Sequence, residues 1–454
     1  MGHSRVFLAL FTLGFGSSVF AKLPQTPPAT NHTRWAANDQ VYVANSLGLN
    51  SYLSFFTRRS MRAHSANPMG TPTFPQRSAL NPMNYVPWAE TTWMATHPHC
   101  DYSAVLHQTL DQHVLVGGHW VVAPDHFSTL HHATTQIGTM VDLPPVTVQS
   151  PSSPAVSLRR LVHKAIPTPD CRKVLVSYKT PLTLPFSPNP TQLFLVDKFS
   201  RVELPLQHMI KGSFVDFAVN PILNMLYVVT KDHDQHSVGF LRLYSIALSL
   251  HSPAMVRQVQ ERILSGHSIY HFVDKALTVD PAGHRVYLLT VRSQDSSNYL
   301  TVFDSKKLAL SSEVQLSNGV GSISAIGVDP IRKKIYAPVF KYVDQGQQQP
   351  VPGQYITVID SRSLIVEADL DVSNIVDVNA AFDGSNAIED IAVVGSGHLF
   401  VLNRDYAAQM NWLRVLKVDL NNFKVQQDGP PVIPDPFSYL YQSKGPSRLF
   451  SRYH

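Results

Sequence analysis

Residues Ala276–Leu310 read ALTVDPAGHRVYLLTVRSQDSSNYLTVFDSKKLAL. Short apolar runs alternate here with residues that turn the chain. Val279-Asp280-Pro281 ends the first run, where proline presets φ for a turn. Arg285–Arg292 is rich in Val, Leu and Tyr, as a half-buried strand should be. A polar stretch leads into Tyr299–Phe303, and Asp304-Ser305 turns the chain into a fourth run. The reading is strand, tight turn, second strand, variable loop, third strand, polar turn, fourth strand.

The pattern repeats. Ala325–Val366 has Val328-Asp329-Pro330 and Asp360-Ser361 in the corresponding places, Phe217–Leu250 has Val219-Asn220-Pro221, and Ile388–Val425 has Asp419. Looser copies lie at Leu161–Leu204, at Asp39–Met61 and at Leu106–Leu143, around HVLVGGHWVVAPDHFSTL. Asp304, Asp360 and Asp419 are 56 (360 − 304) and 59 (419 − 360) residues apart. A period of about 50–60 residues with four strands per unit marks a propeller-like array. The expectation is an all-β fold: a single β-propeller of seven four-stranded blades over 38–454, its ring closed by the C-terminal segment, where FSYLYQ (437–442) has strand chemistry and no partner of its own. Closure would bury the edges that otherwise template aggregation. Two segments read as insertions. Residues 62–96 are proline-rich and loop-like, and 251–275 contains MVRQVQERIL (255–264), whose spacing of Met255, Val256, Val259 and Ile263 suits a short amphipathic helix.

Val41-Tyr42-Val43-Ala44-Asn45-Ser46 and Leu226-Tyr227-Val228-Val229-Thr230 resemble the second strand of the YVTN-type β-propeller repeat. Thr357-Val358-Ile359-Asp360 and Thr301-Val302-Phe303-Asp304 resemble its third strand. The resemblance implies a propeller similar to surface-layer repeat proteins and to the lactonase-like seven-bladed group. It implies no activity, since that architecture hosts both binders and enzymes. The units here are longer than the family's, and no catalytic motif of the lactonase group maps onto this chain, so the catalytic residues are unknown.

The chain has 454 residues, 15% of them charged, against about 25% in an average soluble domain. That excludes a coiled coil or a disordered polyelectrolyte. With 33 prolines against 22 glycines, long helices are disfavoured and collagen is excluded. A net charge of +5 is mild and does not point to nucleic acid. Arg5, the apolar run Val6–Phe15 and Val19-Phe20-Ala21 have the layout of a secretory signal cleaved after Ala21, followed by a proline-rich segment at 22–37. The expected location is secreted or periplasmic, with no transmembrane segment in the mature chain. Export permits disulfides; Cys100 and Cys171 either form one bridge or remain two thiols.

The second strand of five units ends near a basic residue: Lys179, Lys231, Arg292, Lys341 and Arg404. They follow Leu175, Tyr227, Tyr287, Tyr336 and Phe400 by four or five positions. With the units superposed, these cations would line one face and focus an anionic ligand at the centre; alternatively each pairs with a nearby acid at little net gain. Histidine is abundant, 21 in all, with eight in 97–132. His97, His99 and Cys100 are one candidate metal set, and His233 and His236 a second, because neutral imidazole and thiolate are zinc or copper ligands. No P-loop, nucleophile elbow, HExxH or haem motif occurs, and the cofactor is unknown. Two functions are carried forward. One is a binding scaffold that holds a protein, glycan or other polymer, or an anionic ligand, through its variable-loop face. The other is a lactonase-like hydrolase or lyase with a central histidine or metal pocket.

Overall fold

The computed structural model describes residues 40–47, 50–57, 64–65, 89–96, 100–109, 113–116, 119–122, 125–131, 141–143, 146–150, 153–158, 161–179, 192–197, 203–205, 210–220, 222–233, 239–248, 257–269, 275–280, 282, 284–317, 321–343, 351–376, 387–394, 398–405, 410–429 and 446–451. Two compact units divide the chain, Met1–Ala37 and Asn38–His454, and every described residue belongs to the second. The expected signal, the proline-rich 22–37, FSYLYQ at 437–442, and His97, His99 and His236 lie outside the described residues.

Antiparallel sheets of four or five strands follow one another along the chain; seven occur among the described residues. In the fourth, Ser213–Asn220, Met225–His233, Gly239–Ala247 and Arg257–Ser265 pair in chain order. The seventh runs Ile388–Val394, His398–Asp405, Met410–Asp419, Lys424–Gln427, and the third runs Leu161–Pro167, Lys173–Lys179, Gln192–Asp197, Glu203–Pro205. The fifth and sixth have a first strand broken in two: His267–Ser268 with Leu277–Val279, and Gly321–Ile323 with Gly327–Asp329. Their other strands are Arg285–Arg292, Asn298–Asp304 and Leu310–Ser317, then Lys334–Val343, Val351–Asp360 and Val366–Asp371. The second comprises Ala89–Thr96, Tyr102–Thr109, Asp125–His131 and Val141–Leu143. The first takes His64–Ser65, Asn50–Thr57 and Gln40–Leu47 from one end of the unit and Pro446–Ser451 from the other.

Three local expectations are corrected. Arg257–Ser265 is not a helix but the outer strand of the fourth sheet, paired from Phe240↔Ser265 to Ala247↔Arg257. Val259 and Ile263, four apart, lie on one face of a helix and equally on one face of a strand, so their spacing could not discriminate. Residues 62–96 are not all loop, because Ala89–Thr96 is the first strand of the second sheet. HVLVGGHWVV does not supply strands to that sheet; it forms a separate hairpin, His113–Val116 with His119–Val122, between the sheet's second and third strands.

Core packing follows from the strand period of two. Among the described residues the fourth, fifth and sixth sheets bury both faces, so alternate residues serve different neighbours. Val286 and Leu288 pack with Tyr227 and Leu241 of the fourth sheet, whereas Tyr287 and Leu289 pack with Ile326 and Ile335 of the sixth. Tyr336 in turn faces Val393 and Leu399 of the seventh. Tyr227, Tyr287 and Tyr336 share one register position and are essentially inaccessible to solvent. Burial pushes the Tyr227 hydroxyl up to about 12, and it donates to the Ser305 carbonyl of the next sheet at 2.6 Å. Sheet approach is close at Gly327, where a Cβ would lie 2.4 Å from Val393 Cγ2.

The turns are as regular as the strands. Asp304 Oδ1 accepts from the Lys306 and Lys307 amides, Asp360 Oδ1 from Arg362 and Ser363, Asp329 Oδ1 from Ile331 and Arg332, and Asn220 Oδ1 from Ile222 and Leu223. Four residues after each capping residue the backbone turns left-handed: Leu308, Leu364, Lys333 and Asn224 have φ of 51°, 60°, 57° and 50°. Cys100 and Cys171 are disulfide-bonded with Cα atoms 5.4 Å apart, joining the first turns of the second and third sheets.

Two outcomes are expected. Gly327→Ala should cost about 1–3 kcal/mol in denaturant unfolding, because its methyl has no space against Val393. Asp360 is held well below the usual carboxylate range, first by the Ser363 amide and then by Lys334. A depressed folded-state pKa contributes stability that is present above about pH 4 and lost as pH falls. Asp360→Asn should therefore lower stability by about 1 kcal/mol at neutral pH and converge with the wild type in strong acid, as read from thermal midpoints across pH.

Candidate functional site

The first strands of the third, fourth and seventh sheets each carry a β-bulge, between Val162 and Lys164, Phe214 and Asp216, and Ile388 and Asp390. The residue after each bulge occupies the same register position, pairing with Ser177, Val229 and Leu402. Those residues are Lys164, Asp216 and Asp390, charged groups each followed by an apolar run. The fifth and sixth sheets have Ala276 and Ala325 at the matching point, and there the strand is broken rather than bulged. Lys275 immediately precedes Ala276.

Lys164 Nζ lies 2.8 Å from Asp216 Oδ1, with side-chain exposures of 5% and 1%. Asp216 Oδ1 also accepts from the Phe217 amide at 2.7 Å, and Oδ2 from the Leu277 amide at 2.8 Å. One carboxylate thereby ties the third, fourth and fifth sheets. Lys275 Nζ reaches past the sixth sheet to both oxygens of Asp390, at 2.8 Å each, and Asp390 Oδ1 accepts from the Ile391 amide. Lys164 also lies over the Phe217 ring, 5.3 Å from its centroid. Burial lowers the Lys164 ammonium from the usual lysine range, the Asp216 carboxylate opposes this, and nearby Lys275 lowers it further. Buried pairs of this kind offset their desolvation only when hydrogen bonds complete the shell, as the backbone amides do here. Chemically the cluster is a clamp: the oxygens of Asp216 face fixed donors.

The five second-strand cations fall into two registers. Arg292 and Lys341 lie five residues after Tyr287 and Tyr336, level with Asp232 of the fourth sheet and Asp405 of the seventh. Lys179, Lys231 and Arg404 lie four residues on, level with Val291 and Phe340. A one-residue offset puts a side chain on the other face of the strand, so the five positions do not superpose as one circle. Arg292 pairs with Glu313 and stacks on Tyr299, 4.3 Å from its centroid. Lys341 pairs with Asp369 at 2.7 Å and lies over Tyr355. Arg242 meets Glu261 and Asp232 in the fourth sheet. Glu261, Glu313 and Asp369 share one position on the outer strands, so each cation is drawn to its own sheet's edge. His267 Nε2 joins Glu313 at 2.7 Å.

Of the metal candidates, Cys100 is in the disulfide and His233 is described as a strand position. Among the described residues no group of three or more His, Cys, Asp or Glu side chains could hold a metal ion. No helix among them is long and apolar enough to cross a membrane. Sequence reasoning missed the bulge cluster, although FVDFAVN (214–220) and IEDIAVV (388–394) each place an aspartate directly before an apolar run, where a buried charge needs a partner.

No protein-family model matches the chain, the YVTN-type repeat included, and no curated protein matches it. Among solved structures it is similar to a putative 6-phosphogluconolactonase from Bacteroides fragilis (TM-score 0.49, 9% identity, 94% of this chain and 99% of that one). It is also similar to the Dos1 propeller (TM-score 0.44, 10% identity, 75% and 73% covered). A third likeness is the β-propeller domain of the trilobed protease from Pyrococcus furiosus (TM-score 0.43, 8% identity, 75% and 83% covered). Likenesses this distant carry no argument about activity, and the architecture rests on the sheets themselves.

For the clamp, Lys275→Met alone should cost about 3–5 kcal/mol by leaving Asp390 without its lysine. Lys275→Met with Asp390→Leu should regain most of that, in a double-mutant cycle read by chemical denaturation.

Proposed function

We propose that the chain is a seven-bladed β-propeller, closed by its C-terminal strand, that works as an exported binding scaffold for a protein, glycan or other polymer. Closure is supported by Pro446–Ser451, which pairs with Gln40–Leu47 and packs against both Ala89–Thr96 and Ile388–Val394. The observation that carries the scaffold reading is the contrast between frame and loops. The bulge charges are engaged with one another and with backbone amides, whereas the connections between second and third strands differ from sheet to sheet. Those connections, 180–191, 234–238, 344–350 and 406–409, leave the same end of their sheets. Binding loops on a rigid frame are how such folds acquire partners. On this reading the partner-facing rim is formed by those connections, Arg292 and Lys341 being paired to Glu313 and Asp369 beside it, and no nucleic acid is involved. The signal at 1–21 would direct the chain out of the cytoplasm.

The test replaces 344–350 with Asn-Gly, a two-residue hairpin turn. The variant and the wild type are compared on arrays of acidic and neutral polysaccharides and peptides. The wild type should retain a polymer that the variant loses by tenfold or more, at an unchanged thermal midpoint. Absence of any retained polymer, together with lactone or ester hydrolysis by the wild type, would overturn the scaffold reading in favour of an enzyme.

A further inference from the structure

The opposite end of the sheets, where first meets second strand and third meets fourth, has a character of its own. Its acids are engaged locally. Asp304, Asp329 and Asp360 cap their own turns, and Asp280 Oδ1 accepts from the Ala282 amide. Glu367 is held by Lys334 at 2.7 Å. What projects is basic and aliphatic. Lys306, Lys307 and Arg362 are exposed, and Lys333 stands at the left-handed position of its turn. Between them lie Leu310, Ile331, Ile365 and Val366, exposed by 41%, 44%, 63% and 38%. Single exposed aliphatics are ordinary on any surface. Here four occupy one end of two successive sheets, and Leu310 and Val366 hold equivalent positions at the start of the outer strands.

We infer that this turn-bearing end of the fifth and sixth sheets docks on an anionic lipid bilayer. The outward cations complement acidic headgroups, and the aliphatics are short enough to enter only the headgroup–acyl boundary. A soluble polyanion would use the same cations but would gain nothing from Ile331 and Ile365. The surface is distinct from the loop rim, so the inference stands independently of the scaffold reading, and docking would leave that rim facing away from the membrane. Each basic residue near such a surface contributes about fivefold in partitioning at moderate salt.

The experiment is vesicle sedimentation with the full chain, using phosphatidylserine-rich and pure phosphatidylcholine vesicles at low and high salt. The wild type should sediment with the acidic vesicles at low salt, far less at high salt, and not with the neutral ones. Lys306→Glu with Lys307→Glu should weaken this by at least tenfold, and Lys333→Glu with Arg362→Glu provides a second charge pair on different turns. Ile331→Ser with Ile365→Ser should weaken it by roughly tenfold while thermal midpoints stay within a few degrees, since both side chains are exposed. No sedimentation of the wild type at low salt overturns the inference. So does full binding by the isoleucine variant together with competition by heparin, which would assign the surface to a soluble polyanion.

Discussion

A small antiparallel sheet with two apolar faces must bury both, and that requirement organises the unit. It makes every second residue of a strand answer to a different neighbour, as the split between Tyr287 and Leu288 shows. It also leaves the first strands, crowded by neighbours such as Val393 against Gly327, little room for side-chain variety. Where a charge does occur in those strands, it is matched from another sheet. Asp216 and Asp390 are the result: each carboxylate is met by a lysine from another sheet and by a backbone amide that its bulge turns toward it.

The turns complement this frame. An Asp or Asn that caps the amides two and three residues ahead fixes the entry to each turn, and a left-handed residue fixes the exit. Because the capping oxygens are used locally, the turn end presents its lysines, arginines and aliphatics to solvent. At the other end the connections between second and third strands differ in length from sheet to sheet. Frame, capped end and variable end thus have separate physical origins.

Strand periodicity and the positions of the turns were readable from residues alone, since Val-Asp-Pro and Asp-Ser recur with alternating apolar runs between them, whereas the capping of the turns was not. The strand order of the seventh sheet followed from that. Three things were hidden. The cations after Tyr227 and Tyr287 differ by one place in spacing, which is trivial on a line and decisive on a pleat. Val259 and Ile263 satisfied a helical period because an edge strand tolerates aliphatics on its exposed side. The Lys275–Asp390 pair joins residues 115 apart in the chain, and no local motif encodes such a meeting. Bulges, which displace a side chain by one place, were likewise invisible to a period-two pattern.

The sheet that combines Gln40–Leu47 with Pro446–Ser451 has a temporal implication. During synthesis its early strands emerge long before the partner that completes them, so an unpaired edge waits while the six other sheets are produced. Middle sheets, made of consecutive strands, can assemble as they appear. Maturation therefore ends at the place where it began, and any factor that shields a nascent edge would find its substrate in the strands around Val41 and Phe55.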